Sequence, residues 1–228
     1  MHLKYRIAFT IFLALLSLPL RAAEHNRLSS AEVADGWRLL FDGKTTSGWR
    51  NFQKDVISDG WKVIDGALIR AGRGAGSIIT EEQFETFELS LEYKISKGGN
   101  SGIMFHVSEE GQTAWMTGPE IQIQDNVDGR DSQLSGWLYQ LYKSDIDATY
   151  PAGQWNRVRF KITKDKGELW MNGVKYYEFV KGSDDWNQRV SKTKFNRIPS
   201  FGIPAKGHIC LQDHGNEVAY RNIKIRPL

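Results

Sequence analysis

The sequence predicts an all-β fold, a sandwich or barrel of hairpin-linked strands with one short helix. Segments 84–96 and 155–162 alternate apolar and polar residues, as the two faces of a strand do. Turn dipeptides ending in glycine occur at 65–66 and 172–173, and they are typical of two-residue hairpins. The one good helix prediction begins near Ser183, whose hydroxyl group can cap it.

The predicted strands follow one another along the chain, separated by glycine turns and polar loops. They cover residues 37–42, 61–65, 67–70, 84–96, 103–107, 120–125, 136–142, 155–162, 168–171, 174–180, 208–212 and 218–225. No internal repeat of about 20–50 residues is visible, so a propeller is not expected. No linker interrupts residues 36–228, which we assign to one domain.

The amino-terminal residues are typical of a secretory signal peptide. Lys4 lies in a basic start, the apolar run 7–20 follows, and small residues end at Ala23. We assign residues 1–23 to a signal peptide and residues 24–35 to a polar spacer. The protein is therefore expected to be exported, to the periplasm or outside the cell. The apolar run is too short to favour a membrane-spanning helix, so no span is expected after signal removal.

Composition narrows the range of partners. The formal net charge is only +3, and no run of Lys and Arg forms a phosphate track, so nucleic acid is not expected. The single cysteine, Cys210, cannot form an internal disulfide and is expected to be buried. Eight Trp and eight Tyr are many for this length; some must pack the core, and others are available to stack on the rings of a carbohydrate partner. The oligomeric state stays open.

The segment 118–125 reads as a strand with two different faces. Ile121 and Ile123 share one face, because successive side chains on a strand point to opposite sides. The other face carries Glu120, Gln122 and Gln124. Such a ladder of carboxylate and amides suits the hydroxyl groups of a sugar. Asp125 falls on the isoleucine side unless a β-bulge after Ile123 turns it towards Glu120. A solvated strand face is the alternative interpretation.

A second polar group ends a predicted strand, where residues 212–215 read Gln-Asp-His-Gly. An imidazole can act as an acid or a base near neutral pH, so His214 is a candidate catalytic residue. Gln212 and Asp213 are candidate substrate-binding residues. An aspartate from another strand, such as Asp125, could equally orient the imidazole. An ordinary turn is the alternative interpretation.

Further candidate substrate-binding residues flank the strand at 103–107. Asn100 and Ser101 can hydrogen-bond a sugar hydroxyl or satisfy their own turn. His106 alternates with an apolar neighbour and so can face the cleft as a substrate-binding residue, with a solvated histidine as the alternative. Tyr139 is a candidate to stack on a sugar ring, with core packing as the alternative. The same two interpretations apply to Trp49, Trp115 and Trp137.

Metal binding has little support in the sequence. His106, His208 and His214 lack the spacing of a zinc site. The loop 125–131 is rich in aspartate, as calcium loops are, but it lacks the glutamate that completes an EF-hand loop. We predict no metal ligand and no cofactor, and calcium at this loop is kept as an alternative.

Several motifs, taken in order, match a known family. They include Gly-Trp-Arg-Leu-Leu-Phe-Asp-Gly at 36–43, Gly-Pro-Glu-Ile-Gln-Ile-Gln-Asp at 118–125 and Gly-His-Ile-Cys-Leu-Gln-Asp-His-Gly at 207–215. Shorter matches lie at 48–49, 61–66, 99–103, 155–156, 169–173 and 221–223. Over residues 36–228 the sequence resembles the 3-keto-disaccharide hydrolase domain family. His106 stands where members of this family often carry arginine.

The resemblance implies a concanavalin A-like jelly roll, a sandwich of two antiparallel sheets shared with legume lectins and laminarinase-type glucanases. Those glucanases carry their catalytic carboxylates on one strand, spaced much as Glu120, Gln122 and Asp125 are. The amide at Gln122 argues against a copy of their retaining mechanism, which needs two carboxyl groups ~5–5.5 Å apart.

The resemblance also implies cleavage of a glycoside already oxidised at C3. A base removes the proton at C2, the enolate expels the leaving group at C1, and water adds back. His214 or Asp125 is the expected base, and Glu120 is the expected acid or orienting group. Asn100, Gln122 and Gln212 are expected to donate and accept hydrogen bonds. A non-catalytic sugar-binding module and a conventional glycosidase are the alternatives.

Overall fold

The computed structural model describes residues 25–164 and 166–228. The signal peptide predicted for residues 1–23 lies outside this part of the chain. The strands, numbered along the described residues, are β1 (Arg38–Leu39), β2 (Trp49–Asn51), β3 (Trp61–Ile64), β4 (Ala67–Arg70), β5 (Ile78–Thr80), β6 (Phe87–Ile95), β7 (Asn100–Val107), β8 (Glu120–Gln124), β9 (Asn156–Ile162), β10 (Gly167–Met171), β11 (Val174–Phe179), β12 (His208–Leu211) and β13 (Val218–Pro227). The helices are α1 (Ser30–Ala34) and α2 (Asp184–Ser191), with 3₁₀ turns at Ala114–Met116 and Lys194–Arg197.

The strands form two antiparallel sheets. The larger sheet has the order β11-β10-β9-β6-β13-β4-β3, with β1 added beside β13. The smaller sheet has the order β2-β5-β12-β7-β8. Neighbours within each sheet pair antiparallel, so the predicted two-sheet, all-β fold is confirmed.

The core fills the space between the two sheets. Leu89 and Phe160 from the larger sheet are fully buried, as are Ile103, Ile121 and Ile123 from the smaller one. Each such side chain contributes about 1.5–3 kcal/mol of burial free energy. The isoleucines of β8 therefore fix which face of that strand points outward.

The two predicted hairpin turns are present. Asp65 and Gly66 have φ angles of 51° and 73°, and Asn172 and Gly173 have φ angles of 49° and 88°. Positive φ at both central residues defines a type I′ turn, whose twist matches that of the flanking strands. These turns join β3 to β4 and β10 to β11.

The prediction of a strand at 136–142 is wrong. Gly136 and Gln140 take φ angles of 87° and 61°, which turn the backbone instead of extending it. Leu138 makes isolated bridges to Ile121 and Tyr142, so the segment folds over the end of β8 as a loop. The short strands β2 and β5 were not predicted, because three residues carry too little alternation to read.

The helix near Ser183 is confirmed as α2, whose first turn is capped by the Ser183 hydroxyl group. The expectation of one short helix is wrong, since α1 lies within the predicted spacer and begins with a capping box between Ser29 and Glu32. The Asn26 side chain donates to the Gly66 carbonyl at 2.8 Å, and so ties this segment to the domain. No helix of the described residues is long and apolar enough to cross a membrane.

Candidate active site

Strands β7 and β8 place a row of polar side chains on the outer face of the smaller sheet. Ile121 pairs with Ile103 towards the core, so Glu120 and Gln122 point outward opposite Met104 and Gly102. Cys210 on β12 is fully buried beside Met104, in a small apolar cluster on this outer face, which confirms the predicted burial of the cysteine. The polar side chains are therefore flanked by a packed apolar cluster on the same face of the sheet.

A cavity of about 140 Å³ opens over this row. Seven residues considered in the sequence meet there: Asn100, Trp115, Glu120, Gln122, Tyr139, Gln212 and His214. Asp131 and Lys194 complete the wall. The strand at 120–124 and the turn after β12 thus converge on one hollow, although about 90 residues separate them along the chain.

Glu120 is the most strongly perturbed group of this cavity. The residue is 8% exposed, and burial raises its pKa to about 8. The carboxylate of Asp131 raises this pKa further, whereas Lys194 and a hydrogen bond from Gln212 lower it. The Glu120 carboxyl group is therefore protonated at neutral pH and can donate a proton.

Three amide atoms in the cavity wall are buried without a hydrogen-bond partner among the described residues. They are Asn100 Oδ1, Gln122 Nε2 and Gln212 Oε1. Gln122 is held by its own oxygen, which accepts the Ile123 backbone N–H at 3.1 Å. Buried polar atoms are normally paired, so a ligand with both donors and acceptors is expected to complete these bonds. The hydroxyl groups of a sugar have both.

The rim of the cavity joins a cation to aromatic rings. Lys194 Nζ lies 4.9 Å from the Trp115 ring centroid and 4.8 Å from that of Tyr139. The Tyr139 hydroxyl group donates to Asp131 Oδ2 at 2.8 Å. Lys194 was not singled out in the sequence, and Asp131 was considered only as part of the acidic loop 125–131, because the approach of both residues to β8 depends on tertiary packing. His214 follows β12 and is exposed at the same rim.

The structure does not bring Asp125 into this cavity. β8 keeps an unbroken register with β7, so the bulge considered after Ile123 is absent from the described strand pair. Asp125 is buried on the other side, where its carboxylate accepts the backbone N–H groups of Gly98 at 2.9 Å and Val127 at 3.1 Å. These bonds tie the turn between β6 and β7 to the loop after β8, and they hold the Asp125 carboxylate outside the cavity, away from the position expected of a catalytic base.

Ser101 and Asp213 are also directed elsewhere. The Ser101 hydroxyl group donates to the Gln212 carbonyl and bonds Tyr220 Oη, both at 2.8 Å, on the core side of β7. The Asp213 carboxylate forms an ion pair with Arg70 Nε at 2.7 Å and accepts the Gly76 N–H at 2.7 Å. Both residues hold the segment that carries Gln212 and His214, and neither lines the cavity.

His106 lies in a different cavity, because its backbone breaks the alternation of β7. Its φ angle is 53°, and the pairing of β7 with β12 shifts register at this point. The ring packs against Phe87, Nε2 donates to the Glu85 carbonyl at 2.7 Å, and Lys181 Nζ donates to Nδ1 at 2.9 Å. Burial and the neighbouring Lys181 lower the pKa of His106 to about 4, so the ring is neutral.

The remaining sequence candidates, two tryptophans and the acidic loop 125–131, make their contacts mostly outside the small cavity. Trp49 is buried and donates to the Leu40 carbonyl, and Trp137 lines a neighbouring cavity. In the loop 125–131, Asp131 Oδ1 accepts the Gln133 N–H at 2.9 Å, so its carboxylate is engaged within the protein. No group of three His, Cys, Asp or Glu side chains within 25–164 and 166–228 could hold a metal ion.

Comparison with known proteins identifies the family. The profile of the 3-keto-alpha-glucoside-1,2-lyase-like domain matches residues 36–226. The chain belongs to this family. A 3-keto-disaccharide hydrolase of Bacteroides thetaiotaomicron is 30% identical over 247 aligned residues, which cover 93% of this chain and 85% of that protein.

Solved structures of other proteins share the fold of this member of the 3-keto-alpha-glucoside-1,2-lyase-like family. A candidate glycosyl hydrolase of Parabacteroides distasonis has a TM-score of 0.83 at 32% identity, covering 90% of this chain and 100% of that one. A carbohydrate-binding module of Bacillus subtilis has a TM-score of 0.51 at 12% identity, covering 78% of this chain and 95% of its own, and shares the fold alone. The predicted family and enzyme class are confirmed: the chain is a hydrolase that acts on glycosides.

Proposed function

We propose that this enzyme cleaves glycosides whose sugar ring is already oxidised to a ketone at C3. Glu120 carries the proposal: it is a carboxyl group that stays protonated at neutral pH, in a cavity with three unpartnered amide atoms. The family description, a 1,2-lyase acting on 3-keto-α-glucosides, supports the same substrate class.

A C3 ketone makes elimination across C1 and C2 accessible, because it acidifies the hydrogen at C2. A base takes this proton, and the electron pair is held as an enolate on the C3 oxygen. The enolate then re-forms the ketone, a double bond forms between C1 and C2, and the C1–oxygen bond breaks. The departing oxygen takes a proton from an acid. Water adding across the new double bond completes a net hydrolysis.

The residues of the cavity suit these steps. Glu120 protonates the departing oxygen, since burial keeps its carboxyl group protonated. His214 takes the C2 proton, because its exposed imidazole lines the cavity. Gln122 Nε2 is a free donor for the enolate oxygen, and Lys194 adds positive charge beside it. On water addition Glu120 and His214 exchange the acid and base roles.

The same geometry disfavours a retaining glycosidase. That mechanism needs an ionised carboxylate free to attack C1. The second carboxylate of the cavity, Asp131, accepts the Gln133 N–H and the Tyr139 hydroxyl group, so each of its oxygens is engaged. Burial raises the pKa of Glu120 to about 8, so this group is mostly protonated at neutral pH and is a poor nucleophile there.

The decisive experiment compares a 3-keto-disaccharide with its unoxidised parent in D₂O, with products read by mass spectrometry. We expect cleavage of the ketone alone, and a 3-keto-monosaccharide with one deuterium at C2. Release of sugar from the parent would instead indicate a conventional glycosidase. Binding of either sugar without any product would indicate a sugar-binding module.

The variant His214→Asn tests whether His214 is the base that removes the C2 proton. We expect it to reduce turnover of the ketone by about 10²–10⁴-fold, the usual contribution of a general base. Deuterium exchange at C2 should fall with it. Exchange at the wild-type rate would assign the base to another residue.

A further inference from the structure

A second cavity adjoins the candidate active site. It has a volume of about 540 Å³ and shares Lys194 with the smaller cavity of about 140 Å³. Trp137, Leu141 and Tyr142 form its apolar wall. This volume lies within the usual range of small-molecule sites, whereas the smaller cavity is suited to a single ring.

The charge of the larger cavity is one-sided. Lys143, Arg189, Lys192 and Lys194 line it, and its wall contains no carboxylate. Arg189 is neutralised from outside by Asp185, whose Oδ2 lies 2.9 Å from Arg189 Nε. Lys143 and Lys192 are exposed and form no ion pair within the described part of the chain, although Asp185 lies close enough to Lys192 for their charges to interact. Three ammonium groups thus border one apolar wall.

We propose that this larger cavity is the leaving-group subsite, and that it selects glycosides whose leaving group carries a carboxylate or another anion on a flat apolar body. The inference rests on the proposed function. The smaller cavity holds the oxidised ring against Gln122 and Asn100, and Glu120 delivers its proton to the departing oxygen. The leaving group then extends past Lys194 towards Lys192 and Lys143.

Both chemical features of such a leaving group have a counterpart in the wall. An aromatic or aliphatic ring packs on Trp137 and Tyr142, and burying it removes apolar surface from water. An anion gains from Lys143 and Lys192, because neither ammonium group is held in a direct ion pair within the described residues. A neutral leaving group of the same shape gains the first contribution and not the second.

The test uses two 3-keto-glucosides of one anomeric form, with 4-hydroxybenzoate or the neutral, nearly isosteric 4-hydroxybenzamide as leaving group. We compare kcat/KM for both in the wild type and in the double variant Lys143→Gln with Lys192→Gln. The ratio of the two values cancels effects on the common sugar. The matched control is Lys62→Gln, an exposed lysine on β3 of the larger sheet.

We expect the wild type to have a higher kcat/KM for the carboxylate substrate than for the amide. In the double variant the ratio of these two values should fall by about fivefold to tenfold, which is the effect expected from two exposed charge interactions. The Lys62 control should keep the full ratio. Raising the ionic strength should reduce the wild-type ratio as well, because these charges face solvent.

The outcomes separate the two proposals. If both substrates are cleaved and the ratio is the same in all three proteins, the anionic subsite is overturned while the 3-keto function stands. If neither substrate is cleaved, the proposed function fails and the subsite fails with it. Calorimetry with free 4-hydroxybenzoate adds a readout without turnover: binding should weaken in the double variant, and equal binding would also overturn the subsite.

Discussion

The Glu120 carboxyl group lies over Gly102, on the neighbouring strand β7. A Cβ atom added to Gly102 would overlap Oε1 of Glu120. Gly102 pairs with Gln122 in the sheet, so its bare backbone forms the floor on which the carboxyl group rests. The absence of a side chain at this position therefore sets where the acid sits.

The variant Gly102→Ala is expected to displace Glu120 with little cost in stability. The clashing atoms, Oε1, Cδ and Cγ, all belong to the flexible side chain of Glu120, so this side chain can move aside while the strand keeps its register. A displaced acid should lower kcat/KM by about 10²-fold, since such losses accompany shifts of about 1 Å. Steady-state kinetics and thermal unfolding together check this. A variant with wild-type kinetics would show that the carboxyl position is not set by Gly102.

The pH dependence of catalysis is expected to follow Glu120. Its pKa of about 8, raised by burial, keeps the acid protonated below that pH. The rate constant kcat/KM should therefore fall as the pH rises through about 8. Glu120→Gln should lose about 10²–10⁴-fold in rate, because an amide cannot supply the proton. A pH–rate profile without an alkaline limb near 8 would contradict the role of Glu120 as the acid.

Ionisation of the buried Glu120 carboxyl group is also expected to destabilise the folded protein at alkaline pH. Its pKa is raised from 4.5 to about 8, so the folded state binds more protons than the unfolded state between these values. Stability then falls as the pH rises through this window. We expect Glu120→Gln to be more stable than the wild type at pH 9, by the order of a few kcal/mol, and similar to it at pH 4. Chemical denaturation at both pH values measures the difference, and an equal difference at both would refute the argument.

Part of this site is accessible to sequence reasoning because it depends on local geometry. The alternation of β8 places Glu120 and Gln122 on the face opposite Ile121, whatever the rest of the fold does. His214 lies in the turn that follows β12, and loops at strand ends are where site residues concentrate. The positions of Glu120 and Gln122 thus follow from the two-residue alternation of a strand, and that of His214 follows from the end of a strand.

The remainder depends on tertiary structure. His106 breaks the alternation through a positive φ angle, at the point where the pairing of β7 with β12 shifts register. Asp125 is drawn to the backbone of the turn at Gly98. Lys194 reaches the cavity from a 3₁₀ turn that begins 70 residues beyond the end of β8 in the chain. No local pattern in the sequence specifies such contacts, so they could not be predicted.

Asp213 is expected to act on stability more than on the reaction. Its carboxylate forms an ion pair with Arg70, and both side chains are largely buried. Burial opposes the charged form, but hydrogen bonds from Gly215 and Gly76 and the Arg70 guanidinium together lower the pKa of Asp213. Asp213→Asn should cost about 1–3 kcal/mol at neutral pH.

That difference between wild type and Asp213→Asn should shrink as the pH falls below the ordinary value of 3.8, because the stabilising charge is lost as the pH falls through the depressed pKa. Asp59→Asn, an exposed aspartate, is the control and should change little. Denaturation curves at pH 7 and pH 3 test this. If Asp213→Asn instead abolished sugar binding without loss of stability, Asp213 would be a ligand to the substrate.

Lys194 is expected to tune the acid. Its ammonium group lowers the pKa of Glu120 and lies over the rings of Trp115 and Tyr139. In Lys194→Met the packing over Trp115 is retained while the charge is removed, so the pKa of Glu120 should rise and the alkaline limb of kcat/KM should move to higher pH. Lys194→Arg keeps the charge and should leave the limb in place, and Lys192→Met, outside the small cavity, should do the same. If the alkaline limb of kcat/KM lies at the same pH in all four proteins, Lys194 does not act on Glu120. A shift confined to Lys194→Met would show that the positive charge of Lys194 lowers the pKa of Glu120 electrostatically.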